Sequence, residues 1–326
     1  MEYGPQETFN LKPNPTKLIM LGLIAITFCL SVFLSVFAAI PLAFGVLVYG
    51  RKLGYLSAFV FGLISLALSL GAGAGFGLVS IYAFSLFIAV ICIESVLRNF
   101  NPMKTILFGG IALFIVSSVS ILGYLKSQDT TLKAVTVKFI ETNAQALKEN
   151  VFNSNKAGNV EEEIKSLKML QNPEKTADEV IKEIPGYMML TNFLLLWFVL
   201  YLLLKYKRLK YGLEKDQYTD HDLLNFKVPD HYIWLVIISL GLLIWGNEIG
   251  EWHTSLGHFL IQSLGAFYFF QGFGLYMAFL NFVNFYGFLR VVLVSITVFT
   301  AGSIIAILGL FDMFIDFRKY LKKKEI

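Results

Sequence analysis

The residue pattern predicts an all-α protein: a polytopic transmembrane helical bundle of about eight or nine membrane segments, with an extramembrane helical hairpin. Three observations carry this. Hydrophobic residues make up 56% of the 326 positions and charged residues only 15%, well under the quarter usual in soluble domains. The apolar residues are gathered into runs of about 18 to 25, the length that takes a helix across roughly 30 Å of hydrocarbon. Between residues 126 and 185 the composition changes to nine Lys and ten Asp or Glu, too polar for the bilayer interior.

Residues 1–16 form a polar tail with Pro5, Pro13 and Pro15. The apolar stretch behind it is too long for the short core of a cleaved signal peptide, so the first helix is expected to target the chain. Residues 17–125 hold membrane helices one to five. Leu18 to Gly50 exceeds one ordinary span and contains Pro41, which disfavours helix at the residue before it. The split expected there gives helices over 18–38 and 41–50, then a third over 53–70 after Arg51 and Lys52. The run Gly71-Ala-Gly-Ala-Gly-Phe-Gly77 lacks the Lys-Ser/Thr of a phosphate loop and reads as an interhelical turn. Helix four covers 78–97, a basic turn with Pro102 covers 98–104, and helix five covers 105–125.

Residues 126–186 are the charged hairpin. Leu132, Val135, Phe139 and Leu147 recur at helical spacing, Asn153, Asn155 and Gly158 mark a turn, and 160–170 with 177–184 return around Pro173. Residues 187–317 hold helices six to nine, at 187–204, 232–246, 259–283 and 288–311, and 318–326 is a basic tail. Lys205-Tyr-Lys-Arg-Leu-Lys210 and Arg318 to Lys324 are the strongest basic clusters beside spans. The positive-inside rule puts both in the cytoplasm, yet three crossings between them would separate them. The reading that reconciles them has both termini inside, eight complete crossings, and the short 232–246 run re-entrant.

The polar residues suggest few functions. The net charge of +4 is spread over loops and ends, unlike the clustered basic face of a nucleic-acid-binding protein. Cys29 and Cys92 sit in apolar runs as small buried hydrophobes. Glu94 and Arg98, four apart, fit a local ion pair at the membrane edge, with a proton or substrate site as the alternative. His253 and His258 are five apart and lack the order of a zinc helix, so residues 247–258 read as a solvated loop with an interfacial Trp. In helix eight Gln262, Gln271, Asn281 and Asn284 alternate with glycines, which suits interhelical packing. The alternative is a solute surface, its candidate contacts being Gln262, Tyr268, Gln271, Tyr276 and Asn281. Asp312, Asp316 and Arg318 form a charge-paired helix exit. No catalytic constellation, cofactor motif or metal cluster is legible, and an enzyme is not expected. The partners expected are the lipid bilayer, a small-molecule solute, and a membrane or extramembrane protein.

Several short patterns carry a resemblance: Ile184-Pro185, Val228-Pro229, Gln271-Gly272, Gly309-Leu-Phe-Asp312 and Asp316-Phe-Arg318. In these the chain resembles the YybS-like family of bacterial membrane proteins, whose domain has no assigned function. The N-terminal six segments are also similar to the substrate-binding S-components of energy-coupling-factor vitamin transporters. The resemblance implies a helical fold in the bacterial plasma membrane and a solute site, with no catalytic residues to carry over. Two functions follow as expectations: a transporter-like solute binder, or a non-transporting scaffold or assembly factor whose 126–186 hairpin docks a partner.

Overall fold

The structure, a computed structural model, describes residues 15–31, 34–71, 77–153, 172–211 and 217–321. The expected tail before Pro15, the interior of the glycine run, Asn155 and Gly158, the return over 160–170 and residues 322–326 lie outside the described residues. Every regular element among those described is helical. In chain order the α-helices are α1 (Pro15–Leu30), α2 (Ala39–Gly71), α3 (Gly77–Leu97), α4 (Pro102–Ser127), α5 (Leu132–Asn153), α6 (Pro173–Tyr211), α7 (Asp220–Leu224), α8 (Ile233–Ile249), α9 (Glu251–Phe282), α10 (Phe288–Ile315) and α11 (Arg318–Leu321), with single 3-10 turns at Ser35–Phe37 before α2 and Asp230–Tyr232 before α8. Among the described residues six stretches are long and apolar enough to cross a membrane: Ser35–Gly71, Gly77–Leu97, Pro102–Ser127, Pro173–Arg208, Trp252–Phe282 and Phe288–Ile315. Pro15–Leu30 and Asp230–Gly246 are shorter apolar helices.

Pro41 does not divide the first apolar stretch, contrary to the sequence expectation. It lies in the first turn of α2, where its missing N–H leaves no helical bond unmade. The interruption comes earlier, between Leu30 and Ala39. The sharper break is at Gly50, whose φ of 82° and ψ of 167° interrupt α2 in a region glycine enters without steric penalty. A Cβ built on Gly54 would overlap the Val46 backbone, although eight residues of straight helix would hold the two about 12 Å apart. The chain therefore folds back at Gly50, leaving arms 39–49 and 51–71. At 1.5 Å per residue only the second, about 31 Å long, can span the hydrocarbon.

The 247–258 stretch is also corrected. α8 continues to Ile249, Gly250 breaks the chain with φ 152°, and α9 starts at Glu251, so residues expected in a solvated loop are helical. α6 runs through Pro185 as one 39-residue helix. α4 stops at Ser127, and a turn with Asp129 at φ 44° precedes α5.

The chain forms two compact units, one drawn from Met1–Leu113, Asn192–Lys227 and Phe269–Ile326, the other from Phe114–Thr191 and Val228–Tyr268. In the first, α2 packs on α1 and α3, and the Tyr82 hydroxyl donates to the Ala58 carbonyl at 2.7 Å. Ile93, Ile106, Leu113, Leu196, Leu200 and Leu203 are fully enclosed. Trp197 stacks between Tyr201 and Phe270 at interplanar angles of 3° and 6°, with Phe273 edge-on, so rings replace aliphatic packing where α6 meets α9. In the second unit Thr254 closes against Gly246 across the α8–α9 turn, Phe114 tilts onto Phe259 at 5.6 Å, and Lys133 pairs with Asp178 at 2.8 Å.

The reversal at Gly50 is testable through Gly54. Gly54→Ala must push the two arms apart, and overpacking of this kind costs about 1–3 kcal/mol. Gly123→Ala, in a helix with nothing near the new methyl, should be neutral or slightly stabilising. Thermal unfolding in detergent compares the two, and equal midpoints would contradict the close approach.

Candidate functional site

Charged residues in the first unit gather into three clusters, each joining elements distant in sequence. Glu94, near the end of α3, accepts from Arg51 at 2.9 and 3.1 Å, from Tyr55 at 2.8 Å and from Arg98 at 2.8 Å. Its i,i+4 partner Arg98 is thus one of three donors. Arg51 approaches with the Nε–Nη2 edge of its guanidinium, one nitrogen to each carboxylate oxygen, the bidentate geometry that makes Arg–carboxylate pairs strong.

The second cluster centres on Asp220, 2% exposed at the start of α7. Arg208 Nη2 donates to Asp220 Oδ2 at 3.0 Å. Arg208 Nε lies 2.7 Å from Oδ1 but off the hydrogen-bond axis, so the pair is an ion pair with one aligned bond. Thr219 and Asp222 close a capping box around the first turn, which satisfies otherwise orphaned amides. At the α3–α4 turn, Asn101 Oδ1 accepts from the Met103 and Lys104 amides at 3.0 and 3.1 Å, an N-cap ahead of Pro102. Asn99, in the left-handed region at φ 53°, accepts the Tyr218 amide at 2.9 Å. Lys207 Nζ reaches the Val96 carbonyl at 3.4 Å.

The third cluster is the most buried. Asp312 is 1% exposed near the end of α10. Its Oδ2 accepts from Gln271 Nε2 at 3.1 Å and lies 3.5 Å from Arg318 Nε, while Oδ1 has no protein partner. Arg318 Nη2 donates to the Phe226 carbonyl at 3.1 Å and the Gln271 carbonyl at 3.0 Å. This convergence is possible because α9 is stripped of side chains where the chains meet: a Cβ on Gly272 would overlap the Ile305 carbonyl, and one on Gly274 the Leu224 carbonyl. Asp316 ends α10 as a left-handed cap at φ 50°. It turns outward to Lys227 at 2.6 Å and Lys319 at 3.1 Å, and those hydrogen bonds hold its carboxyl below the ordinary value. Burial pushes the Arg318 guanidinium down from its usual value, with Asp312 and Asp316 opposing.

The five candidate solute contacts all lie on α9 but divide between the units. Gln271 bonds Asp312, the Tyr276 hydroxyl lies 3.1 Å from Thr297 Oγ1, and Asn281 Oδ1 accepts from Arg290 at 2.7 Å, so these three form a polar seam with α10. Gln262 and Tyr268 belong to the second unit. There Gln262 Oε1, lying against Gly186, and the Tyr268 hydroxyl are buried without a protein hydrogen-bond partner. In the same unit Asp178, Ile181, Lys182, Trp252 and Ser255 line a cleft of about 380 Å³. Among the described residues no group of three His, Cys, Asp or Glu side chains is placed to hold a metal ion.

Several members of these clusters escaped sequence reasoning. Asn101-Pro102 and Thr219-x-x-Asp222 are helix-start signals that pattern alone offers. Arg51, Tyr55 and Arg208 carry no such mark, because their carboxylates are found only after folding.

Removing Arg318 strands the Asp312 charge. Arg318→Ala is therefore expected to cost about 3–5 kcal/mol, whereas Lys319→Ala, on a side chain 77% exposed, should stay within about 1 kcal/mol. Unfolding in detergent separates them, and similar losses would contradict the burial. Because Asp316 is depressed when folded, its contribution is complete above the ordinary carboxylate pKa of about 3.9 and fades as pH falls through the lower folded value. The difference in thermal midpoint between the native chain and Asp316→Asn should be full at neutral pH and close only in strong acid; a pH-independent difference would exclude that origin.

A family model described as predicted membrane protein (DUF2232) matches residues 17–313. No curated protein and no solved structure matches the chain.

Proposed function

This chain belongs to the family of predicted membrane proteins (DUF2232), and we propose that it is a transporter-like protein that binds a small solute, in the manner of an S-component. On this reading the two shorter apolar helices join the six long ones to give eight membrane segments. The resemblance to YybS-like proteins supports a location in the bacterial plasma membrane. It works without chemical catalysis, and any energy input comes from a partner protein.

The observation supporting solute binding is the pair of unsatisfied polar atoms on α9, Gln262 Oε1 and the Tyr268 hydroxyl. A buried polar group without a hydrogen bond costs about 1–3 kcal/mol by mutational measures, so each of these atoms invites a ligand group to complete it. Gln262 Oε1 accepts only, so the solute presents a donor such as an amide, amine or hydroxyl.

The alternative is a non-transporting scaffold or assembly factor that docks a partner on the 126–186 hairpin. Phe139 and Val135 on α5, 67% and 41% exposed, favour it as apolar positions in a charged region. Deleting the hairpin while preserving insertion should then remove a co-purifying protein.

A metabolite screen by thermal shift tests the first reading. A donor-bearing solute should raise the midpoint, as binding to the folded state alone must. Gln262→Leu and Tyr268→Phe should each preserve folding, and at least one of them should abolish the shift. A shift that survives both substitutions would place the solute elsewhere, and no shift with any solute would count against binding.

A further inference from the structure

We infer that the connections carrying Arg51, Arg98, Arg208, Lys227 and Arg318 lie on one membrane face, that this face is cytoplasmic, and that the chain between Lys227 and Asp316 makes an even number of crossings. The inference rests on the membrane-spanning reading and on contacts within the first unit alone.

The contacts form a connected series. Arg51, beside the Gly50 reversal, binds Glu94 at the end of α3, which also holds Arg98. The α3–α4 turn is tied to the end of α6 and the segment after it, because Asn99 and Asn101 hold Tyr218 and Lys207 reaches Val96. Arg208 binds Asp220. From Asp220 to Lys227 the chain is one short helix and three further residues, a reach of roughly 17 Å against about 30 Å of hydrocarbon. Lys227 then binds Asp316, and Arg318 binds the Phe226 carbonyl. Ion-paired side chains cannot sit on opposite sides of a bilayer, and no link in the series is long enough to cross one.

Ten cations therefore share a face: Arg51, Lys52, Arg98, Lys104, Lys205, Lys207, Arg208, Lys227, Arg318 and Lys319. The positive-inside rule counts Lys and Arg near span ends, not net charge. The stretches 71–77 and 247–258 contain neither. In the 126–186 region Lys126, Lys133, Lys138, Lys175 and Lys182 lie within about 15 residues of a span. Even with Lys17 and Arg290 counted against it, ten against seven makes the shared face the cytoplasmic one.

Parity follows. Lys227 and Asp316 are on one side, so α8, α9 and α10 cannot each cross once; one of them enters and leaves by the same face. Two have features that suit this. α8 has 17 residues, about 25 Å of helix. α10 is interrupted at Ala301, where φ is −129° and ψ is 25°, leaving two arms of about 20 Å.

The test places single cysteines at Lys52, Lys104 and Lys319, which are exposed, in the otherwise native chain; Cys29 and Cys92 are buried and silent to a membrane-impermeant maleimide. All three should label only after the cells are permeabilised. A C-terminal fusion to a reporter that fluoresces only in the cytoplasm should be bright, which guards against a local effect of Lys319→Cys. Labelling of Lys319→Cys in intact cells with Lys104→Cys protected, a dark fusion, or labelling of all three from outside would each overturn the inference.

Discussion

A carboxylate taken out of water must meet a cation or give up its charge, and Asp312 imposes that requirement where α9, α10 and α11 come together. Leaving such a charge unpaired costs several kcal/mol. The chain meets it by turning back at Asp316, so that Arg318 lies against Asp312 and reaches the backbone of α9 and of the 225–227 connection. The left-handed cap at Asp316, the glycines at 272 and 274 and the outward pair with Lys227 all serve this geometry. Without the glycines the backbones could not approach; without the cap the guanidinium could not return.

Glu94 and Asp220 use the same device at two other connections. In each case a carboxylate of low exposure takes an Arg from elsewhere in the first unit. In hydrocarbon there is no hydrophobic gain in pressing one apolar helix on another, and such polar contacts with small-residue packing take over the role of holding helices in register. The aromatic stack about Trp197 is the apolar counterpart, where flat rings fill the space between α6 and α9.

The helical class and most helix positions could be read from the chain because a span's length and composition are local properties. α3, α4 and α10 lie close to the apolar runs that predict them. The failures were at the ends, where local signals compete. Pro41 has the mark of a breaker, yet proline fits a first turn, and the fold-back comes at Gly50, beside the Arg51-Lys52 pair that by itself marks only a loop. The polar 247–258 stretch has the composition of a loop, yet one glycine at 250 is all the break the chain needs. The Glu94–Arg98 pair was legible from its spacing, whereas Arg51 lies 43 residues from Glu94 and nothing in a sequence announces such a partner. Asp312, Asp316 and Arg318 were legible as a charged exit, but not the division of labour in which Asp312 turns inward and Asp316 outward.

The C-terminal end of α10 is fastened to the connection after α7. Cysteines at Lys227 and Asp316 in native membranes, treated with a short bis-maleimide, measure this most directly. An efficient intramolecular cross-link is expected between residues 89 positions apart, one that neither single substitution gives. Two freely reactive thiols that never cross-link would contradict it.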